Sequence, residues 1–438
     1  MVNEMIKPNL DVLGLGYGPS NIALAISYEE LEQTDRCFSL AFAEKNKSIR
    51  WHEGILLPWT VSQVSFLKDL VTLRNPRSRF TFLNFLKETG KLDEFVNLGT
   101  FTPLRLEISD YLEWAGRSVE KSSHSFDHEC VDISGIEENG RIVGWRSKFS
   151  NGGEVNSSDL VVSVGRDLNV PAEFKSLPKE LVFHSENYLY GIKSHRHRKG
   201  LRVAVIGSAQ SAAEVFKSLH SDLEDSRPTI IMRKAGFRYY DTSPYLNELF
   251  QPGYVDKFYQ MPHGSRQDIL QQMHTTNYGG LAPYLLNDLY RMQYLQRAMG
   301  EEPSQILSMK DIVAAEASGG KVIISLRDKT NGEVSEEVFD LVVLGTGFKN
   351  KLPEVMSGIQ NLIPKDETES CFLSRDYQVS VEDGVDAGLF LQGLAEGTHG
   401  IADTLLSNLA DRSDRIVKAL VERQRARRAL QKDVVAAE

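Results

Sequence analysis

Two glycine-rich turns, far apart in the chain, each follow a short apolar run and open a stretch that is typical of a helix. The first reads Gly-Leu-Gly-Tyr-Gly-Pro over residues 14–19, and the second reads Gly-Ser-Ala-Gln-Ser-Ala over residues 207–212. A strand that turns through glycines into a helix aims backbone N–H groups and the positive end of the helix dipole at one spot, which suits a pyrophosphate. The pair of turns predicts two dinucleotide sites.

These turns predict an α/β fold with two Rossmann-like dinucleotide-binding domains. One such turn is weak evidence, because the same pattern also joins a strand to a helix where no ligand binds. The second turn carries Ala209 and Ala212 where glycines are usual, and the methyl of Ala209 crowds an approaching phosphate. We therefore assign the first turn to a tightly held cofactor and the second to a cofactor that exchanges.

The residues that end the next strand of each unit indicate which nucleotide is bound. Glu44 follows the predicted strand 39–43, where an acidic residue binds a ribose hydroxyl in this fold. Arg233 and Lys234 follow the predicted strand 229–232, where bases suit a 2′-phosphate and favour NADPH over NADH. An exposed glutamate and a solvated basic pair are the alternative interpretations.

Composition excludes several classes of partner. The chain has 438 residues and a formal net charge of −10, which argues against binding nucleic acid or an anionic membrane. Its three cysteines lie far apart, without the spacing of a zinc site, so we predict a reduced, cytoplasmic protein without a metal. No apolar run reaches the length of about 18 residues that a membrane helix needs, so no membrane segment is predicted.

The pattern along the chain predicts three units. Strand-like stretches at 10–13, 203–206, 322–326 and 339–344 are separated by helical ones, and the last helix is predicted over 403–436. A helical, aromatic and amide-rich stretch interrupts the second unit. The predicted domains are one for the tightly held cofactor (1–165 and 350–438), an NADPH-binding domain (166–237 and 304–349) and a small, mainly helical insert (238–303).

The stretch 63–74 mixes amphipathic spacing with polar groups that a core helix avoids. On a helix, Gln63 and Lys68 would be about 500° apart around the axis and need not share a face. A loop or a bend brings both to one pocket. A surface lysine with a partly buried stem is the alternative interpretation of Lys68.

Nearly the whole chain resembles the flavin-dependent N-hydroxylating monooxygenases, which convert L-ornithine or L-lysine to N-hydroxyamino acids for hydroxamate siderophores. The resemblance is carried, in this order, by Gly14 to Asn21, Trp51-His52, Gln63 to Arg74, GSAQSAAE at 207–214, DLVVLGTGFKNKLP at 340–353, and Thr398-His399-Gly400 through Ser407. The joint occurrence of these motifs is far more specific than any one of them.

The resemblance implies a role for individual residues. Gln63 matches a glutamine beside the reactive flavin, and Arg233 matches the arginine that holds the adenosine phosphate of NADPH. Lys68, Asn247 and Asn277 match residues that bind the amino-acid substrate, and Ser407 matches a serine near the flavin and the substrate amine. The catalytic candidates are Gln63, Lys68, Asn277 and Ser407. The cofactor-binding candidates are Gly14, Gly16, Gly18, Pro19, Ser20, Glu44, Trp51, His52, Gln63, Gly207, Ser208, Gln210, Ser211, Arg233, Thr346 and Gly347.

The resemblance implies that the domain 1–165 and 350–438 binds FAD and that the insert 238–303 binds the substrate, and it also implies the reaction. NADPH reduces FAD, O2 adds to the reduced flavin as a C4a-hydroperoxide, and the neutral side-chain amine of the substrate attacks its distal oxygen. The asparagines favour L-ornithine, while L-lysine, a diamine (putrescine or cadaverine) and histamine stay open. Gly279 and Gly280 follow Tyr278 where bulkier residues are common, and we expect them to widen or loosen the pocket.

Three other classes of protein fit the sequence less well. A pyridine-nucleotide disulfide reductase needs a redox-active cysteine pair, which this sequence lacks. Baeyer–Villiger and sulfide-oxidising flavoproteins carry an F-x-G-x-x-x-H-x-x-x-W signature that is missing here. A non-catalytic flavin-binding protein is opposed by intact Lys68, Asn277 and Arg233. A homotetramer is expected only by analogy with the family.

Overall fold

The computed structural model describes residues 6–364 and 372–437, without the side chains of residues 277 and 431–437. The strands are β1 Asn9–Leu15, β2 Leu40–Ala43, β3 Ser123–Ser125, β4 Cys130–Glu138, β5 Arg141–Phe149, β6 Glu154–Val162, β7 Val182–His184, β8 Arg202–Ile206, β9 Arg227–Ile231, β10 Gln305–Leu307, β11 Lys310–Ser318, β12 Lys321–Asp328, β13 Val334–Phe339, β14 Leu341–Leu344 and β15 Gly388–Leu391. The α-helices are α1 Pro19–Glu29, α2 Phe82–Glu88, α3 Leu92–Leu98, α4 Arg105–Ser118, α5 Tyr188–Lys193, α6 Gln210–Asp222, α7 Pro244–Asn247, α8 Pro252–Gln260, α9 His263–Asn277, α10 Pro283–Ala298, α11 Glu396–His399 and α12 Leu409–Ala437. Short 3-10 helices cover Glu53–Ile55, Ala172–Phe174, Ser185–Asn187, Glu248–Phe250, Glu354–Leu362, Ile401–Thr404 and Leu406–Asn408.

The first sheet carries the first glycine turn at the carboxyl end of a central strand. Its seven strands run in the order β3-β2-β1-β6-β5-β4, and β15 also pairs with β6. β1 is parallel to both β2 and β6, with Val12 opposite Leu40 and Asp159. From Val12 to Leu15 the strand is buried, as expected for a parallel strand with both faces covered. The turn into α1 therefore opens at the sheet edge where such folds bind their ligands.

The second sheet repeats this arrangement for the second turn. It has the order β10-β9-β8-β14-β7, and every pair in it is parallel. β8 lies at its centre and leads through the turn at 207–209 into α6. The chain of residues 182–344 thus forms a second α/β unit, flanked by the antiparallel sheet β11-β12-β13.

Helices α7 to α10 form the insert. Leu285 and Leu289 lie four residues apart, so they share one face at the start of α10. That face is buried in a core with Phe216 of α6, which fixes the insert to the second glycine-turn helix. The predicted α/β fold with a mainly helical insert is confirmed, while the domain boundaries stay a prediction.

Two predicted elements were wrong in their bounds. The predicted strand 339–344 is two strands, because Asp340 leaves the antiparallel sheet: its N–H donates to Arg202 O at 2.8 Å and its Oδ2 accepts from Arg202 N at 2.9 Å. The predicted helix from 403 begins at Leu409 instead. Residues 401–404 and 406–408 form 3-10 turns there, and the buried carboxylate of Asp403 accepts an N–H from Ala395 at 2.7 Å.

The described helices include none that is long and apolar enough to cross a membrane. Cys37 and Cys130 are free thiols, and Cys371 lies outside the described residues. Over residues 6–364 and 372–437, no cluster of three or more His, Cys, Asp or Glu side chains has the arrangement of a metal site.

Candidate active site

The first glycine turn has the backbone shape and the open face that a pyrophosphate requires. Gly16 has a φ of 82°, and a Cβ there would lie 2.5 Å from the carbonyl oxygen of Ser163. A Cβ at Gly18 would meet no heavy atom within 4 Å, so this position faces open space. Gly18 is also the N-cap of α1, whose first N–H groups lack partners within the helix. The turn therefore fits a dinucleotide phosphate.

Glu44 lies beside this turn and is held by it. One carboxylate oxygen accepts the N–H of Tyr17 at 2.7 Å, and the other accepts the backbone and side-chain N–H groups of Asn46 at 2.9 and 2.7 Å. The side chain is buried at the end of β2. The oxygen that accepts from Tyr17 can accept one further hydrogen bond, so this geometry suits the predicted ribose contact.

The second glycine turn packs against the segment that follows β14. Gly207 has a φ of 138°, and a Cβ there would lie 2.3 Å from the carbonyl oxygen of Gly345. Ser208 and Ser211 are partly exposed beside the turn. Any side chain at position 207 would therefore push β8 and β14 apart at the point where the second nucleotide is predicted to bind.

Thr346 and Gly347 are anchored rather than free in this connection. The hydroxyl of Thr346 donates to Asn169 O at 2.5 Å, and the carbonyl of Gly347 accepts from Nε2 of His184 at 3.0 Å. Burial lowers the pKa of His184, so the ring is neutral near pH 7 and donates through one nitrogen. These hydrogen bonds tie the chain around Asn169 and His184 to the segment that carries Thr346 and Gly347.

Trp51 and His52 lie where the first unit meets the second. Nδ1 of His52 is 2.6 Å from Oε2 of Glu186, whose pKa is lowered by the hydrogen bond and charge of His52 against the opposing effect of burial. A Cβ at Gly54 would lie 1.9 Å from the carbonyl oxygen of Glu186, so the two backbones touch. His52 thus joins the two units in addition to its predicted cofactor contact.

Arg233 lies in a cationic cluster at the end of β9. Its side chain is exposed, and the neighbouring Lys234 donates to Gly279 O at 3.0 Å. The pKa of Lys234 is lowered by burial and by the charges of Arg238 and Arg233. Three positive groups together attract a dianion, which agrees with the predicted 2′-phosphate site.

The segment with Gln63 and Lys68 is an extended bend, not a helix. It pairs with residues 101–105, because Ser62 N donates to Pro103 O at 2.7 Å and Phe66 N donates to Phe101 O at 2.9 Å. Gln63 is exposed at the bend. Lys68 lies five residues further on, half-buried.

Lys68 lines a small cavity that also reaches the segment with Ser407, another predicted substrate-binding residue. Leu406, next to Ser407, lines the same cavity. Burial lowers the pKa of Lys68, and its ammonium has no hydrogen bond or ion pair with any group in the described part of the chain. A half-buried cation of this kind is stabilised by an incoming anion.

Ser407 is buried in the 3-10 turn before α12, and the end of α9 is fastened beside that region. The hydroxyls of Tyr278 and Thr404 are 2.8 Å apart. Asn277 is the last residue of α9, and its side chain lies outside the described residues. The backbone at positions 277 and 407 is therefore brought to the same side of the insert.

Asn247 ends α7 as an exposed residue, and its amide donates to Thr242 O at 3.2 Å. Gly280 does not widen the pocket as expected. A Cβ there would lie 2.4 Å from the backbone nitrogen of Tyr240, so the glycine admits the neighbouring chain. A Cβ at Gly279 would lie 2.6 Å from Nζ of Lys234.

Sequence reasoning missed a buried ion pair behind the first turn. Arg412 and Asp403, whose side chains are 1% and 0% exposed, are joined at 2.9 Å. Nη2 of Arg412 also donates to the hydroxyl of Ser20 at 2.7 Å. Ser20 thus connects the first turn of α1 to α12. The charges at 403 and 412 are typical of a solvated helix face, and no local signal distinguishes them.

A separate groove of about 550 Å³ lies between α6 and α10. Trp59, Lys217 and Met299 are among the residues that line it, and none of the predicted site residues does. We therefore place the candidate active site at the two glycine turns and the Lys68 cavity.

Two dinucleotide-type units and a helical insert that meets both define an oxidoreductase of the two-dinucleotide class. The chain belongs to the L-lysine 6-monooxygenase/L-ornithine 5-monooxygenase family, whose model matches residues 8–350. It is thus a flavin-dependent N-monooxygenase, and the predicted family and enzyme class are confirmed.

Similar proteins cover almost the full chain. An L-ornithine N(5)-monooxygenase of Pseudomonas aeruginosa is 33% identical over 420 residues, which are 94% of each chain. An ornithine N-hydroxylase of Kutzneria sp. 744, solved with reduced FAD, NADP+ and L-ornithine, is 32% identical with a TM-score of 0.89, over 95% of this chain and 100% of the other. The L-lysine 6-monooxygenase of Pseudomonas syringae is 31% identical with a TM-score of 0.84, over 94% and 99%. The ligands of the Kutzneria protein include the predicted cofactor pair.

Proposed function

We propose that this protein is an FAD- and NADPH-dependent monooxygenase that N-hydroxylates the side-chain amine of L-ornithine for hydroxamate siderophore biosynthesis. The observation that carries the proposal is Lys68, a half-buried cation in the cavity that reaches the Ser407 turn. An amino-acid carboxylate supplies the missing anion. The similar ornithine enzymes support this choice of substrate.

The bound flavin supplies hydride acceptance and oxygen activation, while the protein binds, orients and excludes water. Lys68 holds the carboxylate at one end of the substrate. Ser407, which is buried, accepts an N–H of the side-chain amine and aims its lone pair. The burial of Ser407 favours the neutral amine beside it, which is the nucleophile.

L-lysine is the second candidate, supported by the similarity to the P. syringae lysine enzyme. It differs from L-ornithine by one methylene, which a pocket distinguishes by only about 1–3 kcal/mol. The predicted cytoplasmic location and homotetramer stay predictions.

A substrate panel tests the proposal. With FAD, NADPH and O2 supplied, we expect hydroxylated product from L-ornithine, less from L-lysine, and least from putrescine, cadaverine and histamine. Hydroxylamine is measured directly, because NADPH loss alone also reports hydrogen peroxide formation. Preference for another amine would overturn the ornithine assignment, and NADPH oxidation without product from any amine would overturn the proposed hydroxylation.

Arg233→Ala is expected to raise the KM for NADPH about tenfold or more. The variant loses a charge-assisted contact to the 2′-phosphate, and about 1.4 kcal/mol corresponds to tenfold in binding. Steady-state NADPH oxidation measures it, with NADH as the matched control, because NADH lacks that phosphate and its KM stays unchanged. Equal KM values for NADPH in variant and parent would remove the phosphate assignment from Arg233.

A further inference from the structure

Glu214 is a fully buried carboxylate on α6 that no predicted role uses. Its side chain is 0% exposed, and Oε1 binds two partners. Arg105, 13% exposed, forms an ion pair with it, and Nε2 of Gln210 donates to it at 2.7 Å. Oε2 has no hydrogen-bond partner in the described part of the chain. A buried charge of this kind needs its cation, since removal of the partner leaves it uncompensated.

The first link of this network fixes the orientation of Gln210. Glu214 accepts from the amide nitrogen, and the amide oxygen accepts from Ala282 N at 2.9 Å. A flipped amide would set its oxygen against a carboxylate and its N–H2 group against another N–H. One orientation alone is therefore satisfied. Gln210 is the first residue of α6, directly after the second glycine turn, and Ala282 is the N-cap of α10 in the insert.

The second link runs into the first unit. Arg105 begins α4, and its backbone N–H donates to Thr60 O at 2.9 Å. Val61 and Leu104 form the neighbouring antiparallel bridge. This pairing holds the bend that presents Gln63 and leads to Lys68. Glu214 thus joins three parts of the molecule: the bend with Gln63 and Lys68, called the flavin-side bend, the second glycine turn and the insert.

We propose that Glu214 is a positioning residue that fixes the position of the second nucleotide site relative to the flavin-side bend. The proposal rests on the proposed function, because it assigns FAD to one side of the joint and NADPH to the other. Hydride transfer requires the two rings in one close geometry, and a misplacement of about 1 Å lowers such a rate on the order of 100-fold. The adenosine phosphate of NADPH is predicted to bind at Arg233, at the end of β9 and outside the Glu214 network.

Glu214→Gln is the test variant. It keeps the size and one acceptor oxygen but removes the charge that Arg105 faces. We expect saturating NADPH to reduce the enzyme-bound FAD at least tenfold more slowly in anaerobic stopped flow, where saturation removes any effect of weaker binding at Gln210. Chemically reduced enzyme should react with O2 at the parental rate. A parental rate of reduction by NADPH would overturn the proposal.

Asp159→Asn is the matched control. Asp159 is also 0% exposed and is bound by Arg423 and by Gln424, but these groups join β6 to α12 within one unit. We expect this variant to unfold at a lower temperature than the parent. In the folded variant, NADPH should reduce the flavin at the parental rate. If both variants lost reduction equally, the effect of Glu214 would be general destabilisation and the positioning role would be wrong.

A second variant and a second readout cover a failure of Glu214→Gln to fold. The Arg105→Gln/Glu214→Gln double variant removes both charges, so it should fold better than either single variant. NADPH should still reduce its FAD slowly.

Hydrogen exchange on the cofactor-free protein should accelerate at residues 60–66 and 282–286 together in Glu214 variants, and not in Asp159→Asn. Exchange that rises at α6 alone would overturn the proposed joint. Failure of the wild-type protein to reduce flavin with NADPH or to hydroxylate an amine would instead overturn the proposed function.

Discussion

Arg412→Met is expected to lower the free energy of unfolding by about 3–5 kcal/mol. Removing the guanidinium leaves the buried carboxylate of Asp403 without its cation and the hydroxyl of Ser20 without its donor. Because Ser20 lies in the first turn of α1, the variant should also retain less FAD on purification. Thermal unfolding and the flavin-to-protein absorbance ratio measure the two effects.

Arg425→Met is the control on the same helix. Arg425 pairs with Asp35, but the two side chains are 55% and 37% exposed, so this pair contributes at most about 1 kcal/mol. The double variant Asp403→Asn/Arg412→Met should lose less than the sum of its single variants, because no net buried charge is left. If Arg412→Met were as stable as Arg425→Met, the buried pair would have no structural role.

The parts of the fold that the sequence predicts are those encoded within about ten residues. The strand before each glycine turn is a short apolar run, and the turn needs glycine because Gly16 and Gly207 have positive φ angles. The position of Glu44 at the end of β2 follows from the same local order. These features need no knowledge of what packs against them.

The missed features depend on residues far away in the chain. Glu214 stands in a recognisable motif, but its cation is Arg105, 109 residues earlier. Arg412 bonds to Ser20, 392 residues away. In both cases a charge on an amphipathic helix has the pattern of a solvated face, and only the packing of a second unit buries it. Asp340 likewise divides the predicted strand 339–344 because it binds the start of β8.

Gly280 illustrates a different failure. Its small size suggested a wider pocket, yet the space is filled by the backbone of residues 239–240. A missing side chain admits either a ligand or another chain segment, and the sequence does not distinguish them. Substrate size is therefore set by other residues of the site.

Lys68→Ala is expected to lower kcat/KM for L-ornithine ten- to hundredfold. A charge-assisted bond to the carboxylate contributes roughly 1.5–3 kcal/mol, and its loss displaces the reacting nitrogen at the far end of the substrate. Reduction of the flavin by NADPH should continue at a similar rate, so reducing equivalents go to hydrogen peroxide. Parallel assays of hydroxylated product, NADPH loss and peroxide measure this diversion.

Two comparisons separate loss of the carboxylate contact from general damage around Lys68. Putrescine has no carboxylate, so its low rate should be equal in Lys68→Ala and the parent. Lys68→Arg keeps the positive charge and should recover part of the activity with L-ornithine, limited by the larger guanidinium in a half-buried site. If Lys68→Ala hydroxylated L-ornithine as well as the parent, Lys68 would be a surface lysine with a buried stem. A carboxylate-free diamine would then be the better substrate for the cavity.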